Sequence, residues 1–148
     1  MTAKEYLSQG RWLNQKILNR RDELNQLREL AKSIKSTDYE QPAVQSSGKP
    51  DAAFATLIEK ITDSEAELSA EVENYLSFRD KIRREIQKLP EDEEKILLEK
   101  RYMSFKSWPV ISEEMCFVER HTLRLHSRAL QHFEKINAKI LEDVSKCH

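Results

Sequence analysis

The chain has 148 residues, 34% of them charged and 39% hydrophobic, with two glycines, four prolines and a net charge of −1 at neutral pH. That profile suits long solvated helices and excludes a sheet-rich fold or a large packed core. Affinity for an anionic partner must then come from local clustering of basic residues, since the chain as a whole has no positive excess.

Thr2 followed by Glu5 is a capping box, whose side-chain oxygens accept from backbone N–H groups that a helix start leaves unpaired. From there Tyr6, Gly10, Leu13, Ile17, Arg20, Leu24, Leu27, Ala31 and Ile34 recur at alternating steps of four and three, a coiled-coil seam with Gly10 and Arg20 as exceptions. The predicted helix is roughly 50 Å long. Residues 36–50, STDYEQPAVQSSGKP, lose this period and collect Pro, Ser, Gly and Gln, so a flexible connection is expected there. Gly48-Lys49 is no phosphate loop, because the preceding glycine and the following Ser/Thr are missing.

A second seam, with Asp51 as its expected N-cap, runs through Phe54, Ile58, Ile61, Glu65, Leu68, Val72, Tyr75, Arg79, Ile82, Ile86 and Leu89. Two such helices joined by a loop should fold back as an antiparallel hairpin over residues 1–89. A register that sets Ala31 against Phe54 and Leu13 against Val72 places Arg20 opposite Glu65, charge against charge. Leu7, Leu18, Leu30, Leu57, Leu76 and Phe78 lie off both seams, and surplus apolar positions of this kind predict a homodimer through the hairpin.

Pro90 ends the second helix, and the acids Glu91, Asp92, Glu93 and Glu94 suit the positive end of a new one running to about Met103, with Ile96, Leu97 and Tyr102 inward. Ser107 is the expected cap of a short helix that tolerates Pro109 in its first turn. After a tight turn, a last helix is expected from about Glu119 toward Val144. At 100° per residue, Thr122, Leu125, Ala129, Phe133 and Ile136 form its apolar stripe, while Arg120, Arg124, Arg128, Gln131 and Lys135 lie nearly opposite. A helix docked on a small core on one side and lined with arginines on the other suits a DNA major groove.

The stretch LPEDEEKILLEKRYMSFKSWPVISEEMCFVERHTLRLHSRAL resembles region 4 of sigma-70-type factors, and more closely the region-4-like regulators of phages and prophages of Gram-positive bacteria, including ArpU-type late regulators. The likeness rests on an Ile-Leu pair before Arg101-Tyr102, then Ser107-Trp108, Ile111, Met115, the turn, and Arg124 with His126 before Arg128-Ala129-Leu130. Two positions depart from that pattern. Cys116 stands where these proteins usually carry glycine, and Val118 where they usually carry a capping serine. The resemblance implies an all-α protein: an N-terminal antiparallel coiled-coil hairpin followed by a sigma-70 region 4-like helix-turn-helix DNA-binding domain at residues 90–148. It also implies double-stranded DNA as ligand, a late-gene role, and RNA polymerase as a candidate protein partner.

The outward residues of the expected recognition helix are Glu119, Arg120, His121, Leu123, Arg124 and Ser127. Arg120 and Arg124, near its start, are the candidates for base edges, with His121 and Ser127 beside them; Arg128 and Lys135 suit phosphates further along. Glu119 opposes this, because a carboxylate repels phosphates unless it accepts from a cytosine amino group. A solvated helix face with four-residue spacing is the plain alternative for the same arginines.

His121, His126 and His132 are spaced five and six apart and do not stack on one face, and no cysteine pair accompanies them, so neither metal nor cofactor is expected. No nucleophile–base set or paired carboxylates point to an enzyme. Two cysteines, Cys116 and Cys147, suit a reduced compartment, and no apolar run resembles a secretory signal or a membrane span. A bacterial cytoplasmic location is the expectation. The rival readings are a helical assembly or adaptor protein whose helix-turn-helix is only structural, and a small terminase subunit that recognises DNA for packaging.

Overall fold

The computed structural model describes the backbone of residues 1–40 and 49–147 and the side chains of residues 1–35 and 52–147. All regular structure among these residues is helical: α1 (Ala3–Glu40), α2 (Lys49–Gln87), α3 (Asp92–Leu98), a π-helical turn (Glu99–Met103), α4 (Trp108–Met115), α5 (Glu119–Ile136) and α6 (Ala138–Lys146). No helix among the described residues is long and apolar enough to cross a membrane.

The capping box forms as the sequence predicts, with Glu5 N–H donating to Thr2 Oγ1 and Thr2 N–H to Glu5 Oε2. α1 continues to Glu40 and α2 begins at Lys49, so both helices invade the stretch read as a connection, and Asp51 lies inside α2 rather than capping it. The rest of that connection, residues 41–48, lies outside the described residues.

Two compact units divide the chain: Asn14–Asn74, and Met1–Leu13 together with Tyr75–His148. In the first, Leu24, Leu57 and Ser64 are buried and Ile17, Leu27, Ala31, Phe54, Ile61 and Leu68 half-buried. Every position of the α1 seam is at least half-buried along the helix. The α2 seam differs from expectation by one residue at three steps, whereas Val72 is half-buried and Ile86 buried as expected. Leu57, Ser64, Phe78 and Glu85 turn inward, while Ile58, Glu65 and Arg79 are exposed. Both charged interruptions, Glu65 and Arg79, therefore leave the seam. Arg20 accordingly meets Glu67 (3.6 Å) and Glu23 (3.1 Å), and Glu65 meets Arg28 (2.9 Å), in place of the expected Arg20–Glu65 pair.

In the second unit the start of α1 contributes Ala3, Tyr6 and Leu7 to a core completed by Ile82, Ile86 and Leu89 of α2, Leu97 and Leu98 of α3, Tyr102 and Met103, Ile111, and Leu125, Ala129 and Phe133 of α5. Leu7 and Phe78, off-seam in sequence, pack here. Gly10 sits where an added Cβ would come within 3.2 Å of the Phe78 ring and 3.5 Å of the Tyr102 carbonyl, so the small residue permits close approach. Glu85 is buried. Burial raises its pKa, against the hydrogen bond that its Oε1 accepts from Tyr6 (3.1 Å), and its Oε2 has no partner.

The last helix is two helices. Asn137 is buried at the junction with φ −109° and ψ 24°, and its Nδ2 donates back to the Phe133 carbonyl at 3.2 Å. The side chain thus competes with the helical ladder at the point where it breaks.

Candidate nucleic-acid interface

α4 begins after Ser107, whose extended backbone (φ −73°, ψ 157°) occupies the cap position without a side-chain cap bond. Pro109 falls in the first turn, where a missing N–H deprives no carbonyl. The helix ends at Cys116, in the left-handed region at φ 58° and ψ 38°. Cys116 N–H donates to the Glu113 carbonyl and Phe117 N–H to the Ser112 carbonyl, the paired bonds of a Schellman ending. An L-residue there carries a cost of roughly 1–2 kcal/mol that glycine avoids. Phe117 folds back half-buried, edge-on to the His121 ring at 4.6 Å. Val118 then caps α5 with backbone alone, its side chain 73% exposed.

Thr122, Leu125, His126, Ala129 and Phe133 form the buried side of α5, whereas Ile136, expected in the stripe, is exposed. Ser112 donates to Thr122 Oγ1 at 2.9 Å, and Thr122 donates to the Val118 carbonyl, which ties α4 to α5 across the turn. His126 is a core residue left out of the predicted stripe, although its spacing from Thr122, Ala129 and Phe133 puts it on that side of the helix. Its Nε2 shares a hydrogen bond with the Tyr102 hydroxyl at 2.7 Å, and the Trp108 ring stands against it at 4.5 Å. Burial, then the charges of Lys4 and Arg101, hold its pKa down at about 4, so the imidazole is neutral at physiological pH.

The candidate DNA-contacting residues divide into three groups. Arg120 and Arg124 are exposed on the side of α5 away from the core and have no ion-pair partner among the described residues; Lys135 is exposed and unpaired in the same sense. Ser127 is exposed on that side, but its hydroxyl donates to the Leu123 carbonyl at 3.3 Å, leaving only acceptor capacity outward. His121 is exposed beside the turn, engaged with Phe117.

Arg128 differs from its expected role. Its Nε donates to Glu94 Oε1 at 3.0 Å and its Nη2 to Glu91 Oε2 at 3.1 Å, so the guanidinium is committed to the start of α3. His132, one turn on, places Nδ1 within 2.8 Å of Glu94 Oε2. Glu94 itself is fully buried. An acid run reads as solvated, yet Glu94 precedes Leu97 and Leu98 by three and four residues, the spacing that puts it on their buried face. Leu123, 43% exposed, sits by helical spacing beside Arg120 and Ser127 and adds an apolar element to the outward face.

No family model matches the chain, and neither does any curated protein or any solved structure.

Proposed function

We propose that this chain is a sequence-specific DNA-binding transcriptional regulator of phage or prophage origin, acting at late-gene promoters. In this reading α4, the turn and α5 are a sigma-70 region 4-like helix-turn-helix that lays α5 in the major groove. The two long helices are an antiparallel coiled-coil hairpin that serves assembly, through a homodimer. The observation that carries the DNA part is the pair of exposed arginines without acidic partners, Arg120 and Arg124, on the side of α5 opposite its buried stripe. Guanidinium forks in that position match guanine O6 and N7 in the major groove. Lys135 suits a phosphate further along, and Arg128 leaves the contact set because carboxylates already hold it. The half-buried seam positions and the cross-helix ion pairs of Arg20 and Arg28 support the hairpin. The phage origin, the late-gene role and RNA polymerase as a second partner rest on the resemblance of residues 90–130.

The test is selection of bound fragments from the source genome, followed by fluorescence titration of the recovered and scrambled duplexes at low salt. Promoter-proximal fragments bound about 10³-fold or more above scrambled sequence are the expected result. Enrichment of packaging sites would point to a small terminase subunit. If neither duplex binds, alone or with RNA polymerase present, the helical adaptor reading takes its place.

A further inference from the structure

The unit formed by Met1–Leu13 and Tyr75–His148 contains a cleft of about 90 Å³ with a charge pattern unlike the rest of the chain. Lys4, Ser8 and Arg11 line it from one face of α1, at the i, i+4, i+7 spacing that stacks side chains along a helix. Arg101, Phe105 and Trp108 line it from the π-helical turn, the segment that follows it and the start of α4. No carboxylate lines this cleft, although the chain has 26 acidic residues against 25 basic ones. Lys4, Arg11 and Arg101 have no carboxylate partner elsewhere among the described residues.

Arg101 is set in place in advance. Its Nη1 donates to the Lys106 carbonyl at 2.9 Å and its guanidinium lies 4.4 Å from the centre of the Trp108 ring, leaving its remaining N–H groups for a ligand. Phe105 holds a left-handed backbone at φ 55°, costly for a bulky residue and typical of positions where a site is shaped. Behind the cleft, burial and then the charges of Lys4 and Arg101 keep His126 neutral, so its ring adds no charge of its own to the site.

We propose that this cleft is an oxyanion site that takes a phosphate group between Lys4, Arg11 and Arg101, separate from the arginines of α5. Three cations exceed what one carboxylate neutralises and match a multiply charged tetrahedral anion, which guanidinium forks bind with paired hydrogen bonds. The phosphate comes either from a nucleic-acid backbone or from a free phosphorylated small molecule.

The experiment is an NMR titration of the full chain with inorganic phosphate, against chloride at matched ionic strength. Saturable shifts at millimolar phosphate, confined to residues around Lys4–Arg11 and Arg101–Trp108, are expected. Lys4→Gln with Arg11→Gln, both at exposed positions, should weaken the affinity by about tenfold or more while Arg124→Ala leaves it unchanged. Shifts that do not saturate, that chloride reproduces, or that the double variant leaves intact overturn the site. A duplex titration of the double variant names the source. A loss there assigns the phosphate to the DNA backbone, and unchanged duplex binding with lost phosphate binding assigns it to a free compound. Because the phosphate titration uses no DNA, failure of the DNA-binding reading leaves it standing.

Discussion

Glu94 Oε1 and Arg128 Nε lie 3.0 Å apart, in an ion pair whose carboxylate is completely buried while the arginine is half-exposed. Removing the arginine leaves that carboxylate with His132 as its remaining partner. We therefore expect Arg128→Ala to destabilise the fold by about 2 kcal/mol, below the figure for a fully buried pair because one side meets water. Adding Glu94→Gln to Arg128→Ala should recover part of this loss. Urea unfolding of the wild type and the two variants measures both. A loss within experimental error for Arg128→Ala would show the pair to be idle.

His126 links stability to pH. Its folded pKa of about 4 lies below the ordinary 6.5, so the unfolded chain binds a proton that the folded one refuses. Its contribution is intact above pH 6.5, falls as pH drops from 6.5 to 4, and is flat below that. The drop is on the order of 3 kcal/mol. His126→Gln should flatten this window relative to wild type in denaturant midpoints taken at half-unit steps. Glu85 acts in the opposite sense: burial raises its pKa, so it weakens the fold as pH rises through the folded value. Glu85→Gln should therefore raise stability at neutral pH.

The turn before α5 carries two local penalties that substitution can remove. Cys116→Gly relieves the left-handed backbone, and Val118→Ser supplies the missing cap oxygen at an exposed position already in the extended conformation. Each should stabilise by about 1 kcal/mol, seen as a rise in Tm of a few degrees. A fall in Tm for Cys116→Gly would mean the cysteine side chain packs better than its backbone strain costs.

Ser64 and Glu65 separate the two possible seams of α2. Ser64 is buried with its hydroxyl unpartnered, whereas Glu65 is half-exposed in a surface pair with Arg28. Ser64→Ala should be neutral to stabilising by up to about 1 kcal/mol, and Glu65→Ala should cost less than about 1 kcal/mol. The reverse order in chemical denaturation would restore the seam that runs through Glu65.

For DNA, Arg124→Ala should relax preference at one or two positions of the selected site by about 1–3 kcal/mol of discrimination, whereas Lys135→Ala should weaken all duplexes alike and lower the salt slope by about one. Titrations of both variants across a salt series distinguish the two roles. Loss of specificity in Lys135→Ala, with Arg124→Ala unchanged, would exchange their assignments.

Much of this was legible in the residues. The capping box, the whole α1 seam, the start of α3 after Pro90 and the inward Thr122, Leu125, Ala129 and Phe133 follow from local chemistry and period. The α2 seam was not, because two tracks share Phe54, Ile61, Leu68, Tyr75, Ile82 and Leu89 and differ only at the steps between. Each track has apolar and charged members, and the facing helix decides. The break at Asn137 has no proline or glycine to announce it; a buried asparagine whose amide bonds back to the Phe133 carbonyl stands there instead. Arg128 reads as part of an exposed basic row because its partner Glu94 lies far back in the chain, and helical spacing carries no information on such a distant contact. The Lys4–Arg11–Arg101 cleft escapes for the same reason.

The start of α1 belongs to the unit that the last helices complete: Ala3 N–H donates to Glu134 across 131 positions, and the Tyr6 ring lies 6.2 Å from that of Phe133. During synthesis these residues emerge well before α5, and until α5 has left the ribosome Tyr6 and Leu7 have no complete surface to dock on. Closing so long a loop carries an entropic cost that local helix formation does not, and contacts of this span slow folding. The helices can therefore form early while the core of this unit waits, its apolar side chains open to misassembly with other nascent chains in the interval.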